Sequence, residues 1–151
     1  MTYELDDKDK KIIEILKEHG DYTTRQIARK TLLPATTIHN RIKKLKSEGV
    51  IRKFTLDLNP QKLGKNFLVI MLISVDYKVL RELKKDQHKM AKEISLMSEV
   101  ESIDVVTGDT DMVVKIRVKN VQEYDHFLLK KFQNLPGVDR TQSLVVIHEG
   151  P

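Results

Sequence analysis

The spacing of apolar residues divides this chain into two halves with different periods. Up to about Asn59 the pattern is helical, with Ile12, Ile13 and Leu16, then Ile27, Ala28 and Leu32, then Ile38, Ile42 and Leu45 each spaced to share one helix face. Asp6 and Asp7 open the first run and Gly20 closes it ahead of Tyr22, so acids meet the positive end of the helix dipole and a glycine stands at the stop. Thr23 or Thr24 caps the second helix, and Pro34 interrupts it. A third helix is predicted from about Ala35 to Ser47, with Gly49 ending it, and Val50 to Leu56 alternates imperfectly as a strand.

Beyond Asn59, Pro60 and Gly64 the strand signals dominate. Phe67 to Val75 is apolar on both faces, as in a strand covered on both sides. A helix is predicted from about Val79 to Met97, through Leu80, Leu83, Met90, Ala91, Ile94 and Met97. Val100 to Thr107 and Met112 to Val118 flank a turn at Gly108–Asp111 and read as a hairpin. A second helix from about Val121 to Asn134 places Val121, Tyr124, Leu128 and Phe132 on one side; Pro136 and Gly137 break it, and a strand from Val138 to His148 ends the pattern. The order βαββαβ is that of a ferredoxin-like sandwich, a four-stranded antiparallel sheet with two helices on one face. The expected fold is α+β: a winged helix-turn-helix domain over residues 1–60 and a ferredoxin-like domain over 61–151. The second face of the sheet, to which Val105, Val113, Val145 and Ile147 are assigned, needs cover, so a homodimer is expected.

Charge sharpens the picture of the first half. Between Thr24 and Lys53 lie nine basic residues and one acid, Glu48, a local +8 in a chain whose net charge is +5. Such concentration points to a polyanion. On the third helix, the face opposite Ile38, Ile42 and Leu45 carries Thr36, Asn40, Lys43 and Ser47, with Thr37, His39 and Lys44 flanking. An amide that pairs with adenine, adaptable hydroxyls and lysines for phosphate suit a helix in the major groove. The bland alternative is a solvated amphipathic helix, and three short helices around one apolar stripe favour the helix-turn-helix over it. Arg25 faces outward from the second helix, and Arg52 and Lys53 are placed to reach flanking phosphates as a wing.

The absence of cysteine removes disulfides, thiol catalysis and sulfur-based metal sites. His19, His39, His88, His126 and His148 lack ligand spacing, so no metal is expected. Asp109 and Asp111 share a turn with no histidine, nucleophile or phosphate loop nearby, a poor catalytic set, and no enzyme is expected. No apolar run approaches the ~20 residues that span a bilayer, and Met1-Thr2-Tyr3-Glu4 has neither a basic start nor an apolar signal core. The expected compartment is the cytoplasm.

Leu5-Asp6-x-x-Asp9-x-x-Ile12 and Arg41-Ile42-x-x-Leu45-x-x-x-Gly49-Val50-Ile51 in the first half, and Val100 to Gly108, Gly108-Asp109-x-Asp111 and Leu135-Pro136-Gly137-Val138 in the second, resemble the leucine-responsive/asparagine-regulator (Lrp/AsnC) family of prokaryotic transcription regulators. The resemblance spans nearly the whole chain. It departs at the turn before the third helix, where glycine and serine are usual and Leu32 and Pro34 stand here, so the side-chain cap is expected to be lost. The resemblance implies a dimer, assembling to tetramers or octamers, that binds double-stranded operator DNA and responds to a free amino acid between its sensing domains. DNA-binding residues are then drawn from Arg25, Thr36, Thr37, His39, Asn40, Arg41, Lys43, Lys44, Arg52 and Lys53. Effector-binding residues are drawn from Asp104, Thr107, Gly108, Asp109, Thr110, Asp111, Thr141, Gln142 and Ser143. Taken alone, Gly108–Asp111 is an ordinary hairpin turn. Within the family frame its glycine exposes backbone groups to a carboxylate, an aspartate pairs with an ammonium, and Thr141, Gln142 and Ser143 favour a polar ligand such as glutamine. A rival reading is an oligomeric amino-acid sensor that does not read DNA.

Overall fold

In the computed structural model, which describes residues 3–150, the first helix starts on a reciprocal pair of carboxylate caps. Asp6 accepts a hydrogen bond from the Asp9 amide at 2.8 Å, and Asp9 accepts one from the Asp6 amide at 3.3 Å. This capping box opens α1 (Asp7–Glu18). Thr23 and Gln26 form the same arrangement at the start of α2 (Thr24–Thr31), which settles the choice of cap in favour of Thr23. The third helix, α3 (Ala35–Ser47), begins at Pro34 with no side-chain cap, as the departure at that turn implies. Ile12, Ile27 and Ile38 are fully buried where the three helices meet.

Two expectations for this half fail. Leu32 does not face inward: it is 91% exposed and sits in the left-handed conformation (φ 59°) that ends α2, so the chain reverses there and Leu33 packs against the core instead. Nor does Val50 to Leu56 form a strand. Among the described residues it pairs with no other strand, and an unpaired run has no ladder to join. The Ile51 amide donates instead to the Leu45 carbonyl at 3.0 Å, and the Lys46 ammonium lies 5.9 Å above the Phe54 ring.

The chain divides into two units, Met1–Leu58 and Asn59–Pro151. In the second, β1 (Phe67–Val75), β2 (Val100–Val105), β3 (Met112–Val118) and β4 (Val138–Val145) form an antiparallel sheet in the order β2-β3-β1-β4. The core lies between one sheet face, with Val69, Met71, Ile73, Met112, Val114 and Ile116, and the helices, with Leu80, Met90, Ile94, Tyr124, Phe127 and Phe132. The helix expected over Val79 to Met97 is two, α4 (Tyr77–Glu82) and α5 (Gln87–Ser95). Lys84 in a left-handed conformation (φ 54°) and Asp86 capping the Lys89 amide break the run between them. The second expected helix is α6 (Val121–Phe127) continued by a π turn, Leu128–Phe132. In an unbroken α-helix Phe127 and Phe132 would point about 140° apart; the wider turn, closed by Gln133 N–H to Leu128 C=O at 2.9 Å, brings both inward with ring centroids 5.8 Å apart. Val121, assigned inward, is 52% exposed.

The register also corrects which residues line the second sheet face. Val105 pairs with Met112 and Val145 with Val69, so both lie on the helix side, and Ile147, past the end of β4, is 99% exposed. Of the four assigned there, only Val113 lies on the bare face. Its neighbours are Leu68, Ile70, Leu72 and Leu144, together with Gln142, Lys115 and Arg117. The guanidinium of Arg117 is held by Glu101 at 2.7 Å and Glu149 at 2.6 Å.

Candidate nucleic-acid interface and effector cavity

The outer face of α3 presents Thr36, His39, Asn40, Lys43 and Lys44 to solvent, with Thr37 half-buried beside them. Arg25 on α2 and Arg52 and Lys53 in the segment after α3 are exposed as well. The Lys44 ammonium is 4.8 Å above the ring of Tyr3. Tyr3, Asp6, Thr37, Asn40, Arg41 and Lys44 together line a shallow cavity of about 320 Å³ on this face.

Arg41 is the exception. Its guanidinium donates to both oxygens of Asp6, at 2.7 and 2.6 Å, and to Asp9 at 2.9 Å. Asp9 is only 1% exposed and also accepts from the Tyr3 hydroxyl at 2.9 Å. The Arg41 guanidinium beside Asp6 holds that carboxyl below the usual carboxylate range, and the two carboxylates raise the arginine in turn. A cation so engaged ties α3 to the start of α1. Tyr3, Asp6 and Asp9 were not among the expected functional residues. The signal was the acid pair itself, which needs a counter-charge once the capping box turns one of its members inward.

In the second unit a cavity of about 440 Å³ opens beside the turn between β2 and β3. Asp109, Thr110, Thr141 and Gln142 line it, as do Leu72, Ser74 and Arg140. The Ser74 hydroxyl donates to the Asp109 carbonyl at 3.1 Å and steadies the turn from below. Gly108 has φ 119°, and a Cβ added there would meet nothing within 4 Å, so the position requires glycine for its backbone and not for room.

Five residues assigned to effector binding are not brought into this cavity. Asp104 shares the sheet face but sits on the edge strand β2, two strands from Leu72 across Val113. The Ser143 hydroxyl turns to the helix side and bonds the Tyr124 hydroxyl. Thr107 and Gly108 do not line it. Asp111 is a strut: its carboxylate accepts from the Val75 amide at 2.8 Å and from the Tyr77 hydroxyl, which raises the phenol's pKa, while its own amide donates to the Ile73 carbonyl at 2.8 Å. Arg140 was missed. It stands directly before Thr141, and asking which cation would answer a ligand's carboxylate would have found it.

A three-helix unit with a basic outer face, joined in one chain to an antiparallel sandwich with a polar cavity, defines a DNA-binding transcription regulator with a ligand-binding domain. Residues 5–52 match the winged helix-turn-helix DNA-binding family and residues 69–149 the Lrp/AsnC ligand binding domain. The HTH-type transcriptional regulator FL11 of Pyrococcus furiosus is 42% identical over 143 residues, covering 95% of this chain and 89% of its own. Its counterpart in Pyrococcus abyssi is 40% identical over 147 residues, covering 97% and 92%. Among solved structures, transcriptional regulator NMB0573 of Neisseria meningitidis, in complex with L-Met, superposes with a TM-score of 0.86 at 26% identity, covering 97% of this chain and 92% of that one. LrpC of B. subtilis, at 23% identity and a TM-score of 0.83, shares the fold. The chain belongs to the Lrp/AsnC family of transcription regulators, and it is not an enzyme.

Proposed function

We propose that α3 reads operator DNA from the major groove and that a homo-oligomer of this chain, a dimer or its assembly to a tetramer or octamer, binds a free amino acid as effector in the cytoplasm. One observation carries the effector reading. The cavity offers both charges that a zwitterion needs, Arg140 for its carboxylate and Asp109 for its ammonium, with the Ser74, Thr110 and Thr141 hydroxyls and the Gln142 amide between them. Leu72 is the one apolar side chain in the lining, which favours a polar amino acid such as glutamine. The L-Met bound by NMB0573 supports the ligand class. The cavity opens on the bare sheet face, where Ile70, Leu72, Val113 and Leu144 await cover, and a second copy there would close over the ligand. Linkage then follows: a ligand that favours one assembly alters DNA affinity, and DNA alters ligand affinity by the same factor.

Calorimetry with each of the twenty amino acids tests this reading, with sedimentation of the same samples reporting assembly. One polar amino acid is expected to bind, and Arg140→Ala should weaken it by at least tenfold with the melting profile unchanged, because Arg140 is exposed and takes no part in the core. No heat with any amino acid rejects the reading. On the DNA side, Asn40→Ala should lose about 1–3 kcal/mol on the operator and relax base preference at one position. Lys43→Ala should instead weaken all sequences alike and flatten the salt dependence by about one unit of slope. Filter binding against operator and random duplexes over a salt series separates the two; equal losses on both duplexes for Asn40→Ala would reject its base-reading role.

A further inference from the structure

The second unit is nearly neutral in total, but its charge is not spread evenly. Lys78 to Lys92, which holds α4, the bend and most of α5, contains six basic residues and two acids, a net +4, while the rest of residues 61–151 sums to −3. Ion pairing does not consume this excess. Among the described residues Lys85 is the one member of the stretch in a salt bridge, with Glu93 at 2.7 Å, and Asp86 spends its carboxylate capping α5.

The geometry turns the remaining cations outward. Met90, Ala91 and Ile94 bury the inner side of α5, and at 100° per residue Lys89 and Lys92 fall within about 40° of the opposite direction, one turn apart. Both are exposed, as are Lys78 and Arg81 on α4. Lys84, whose left-handed conformation closes the end of α4, is exposed at the apex of the bend between the helices and adds its charge to the same face.

We propose that the α4–α5 face is a second DNA-contact surface, one that holds the phosphates of duplex flanking the operator without reading bases. The partner is assigned by charge complementarity and by the polyanion this regulator already binds. Lys84, Lys89 and Lys92 each displace counterions there, so the surface adds affinity on long duplexes, in a strongly salt-dependent manner. It leaves sequence preference to α3.

The test uses the full chain, with Lys84, Lys89 and Lys92 all changed to Gln, and a control of equal charge in which Lys62, Lys119 and Lys130, exposed elsewhere in the unit, are changed to Gln. Binding to a 15-base-pair and a 60-base-pair duplex of random sequence is followed over a salt series. On the long duplex the slope of log affinity against log salt should be shallower than wild type by about 2–3 for the first variant, from roughly 0.9 per phosphate contact, and should change less for the control. On the short duplex both variants should match wild type. Parallel slopes for the first variant and wild type on the long duplex would overturn the proposal, as would an equal loss in the control.

Discussion

Gly137→Ala is expected to destabilise the ligand-binding unit by about 2–4 kcal/mol, the sum of a left-handed backbone penalty and an overpacked core. Gly137 is buried at φ 100°, and a Cβ there would lie 2.6 Å from Leu80 Cδ2 and 3.2 Å from its Cγ. Leu80 is 1% exposed, so it has little space into which to withdraw. The Gly137 carbonyl also accepts from the Asp76 amide at 2.8 Å, and Asp76 caps α4, so a shift at Gly137 moves the start of that helix. The transition of this unit should fall by roughly 10–20 °C, and amide exchange should accelerate in α4 and β4 while α1 to α3 keep their protection. A variant that melts within a degree or two of wild type would show that Leu80 relaxes freely.

Gly137 also shows how far the sequence could be read. Pro136-Gly137 marked a break, and a break is what it makes. That the glycine is required by a leucine some 57 positions earlier is a tertiary fact, which no local pattern contains. The helix-turn-helix and the βαββαβ order were legible because period and punctuation are local. The splitting of the expected Val79 to Met97 helix at Lys84 was not, since lysine is a good helix former and the residue is left-handed where α4 closes, its following amide, that of Lys85, donating to the Leu80 carbonyl at 2.9 Å. The π turn was equally hidden: Phe127 and Phe132 are five apart, a spacing that helical periodicity assigns to different faces. At the sites, exposed residues of α3 could be placed by counting, whereas the fate of Asp111, Ser143 and Arg41 depended on partners about 20 to 40 positions away.

Arg41→Ala should destabilise the DNA-binding unit by about 2–3 kcal/mol. Removing one partner of a buried ion pair leaves the other unanswered and typically costs about 3–5 kcal/mol. The lower figure applies because the Arg41 side chain is 25% exposed and Asp9 keeps its bonds from the Tyr3 hydroxyl and the Asp6 amide. The pH dependence has a definite sign. Arg41 holds the Asp6 carboxyl below its ordinary value near 3.9, so this part of the stabilisation is complete above that pH and disappears as the pH falls through the lowered native value. The stability gap between wild type and Arg41→Ala should therefore be constant from neutrality down to about pH 4 and narrow below it, as read by chemical unfolding at each pH. The same variant separates two roles for the arginine. If Arg41 pins α3 to α1, DNA affinity measured well below the melting transition should fall on operator and random duplexes together, because the whole reading helix shifts. A stable variant that loses preference at a single base position would return Arg41 to the groove.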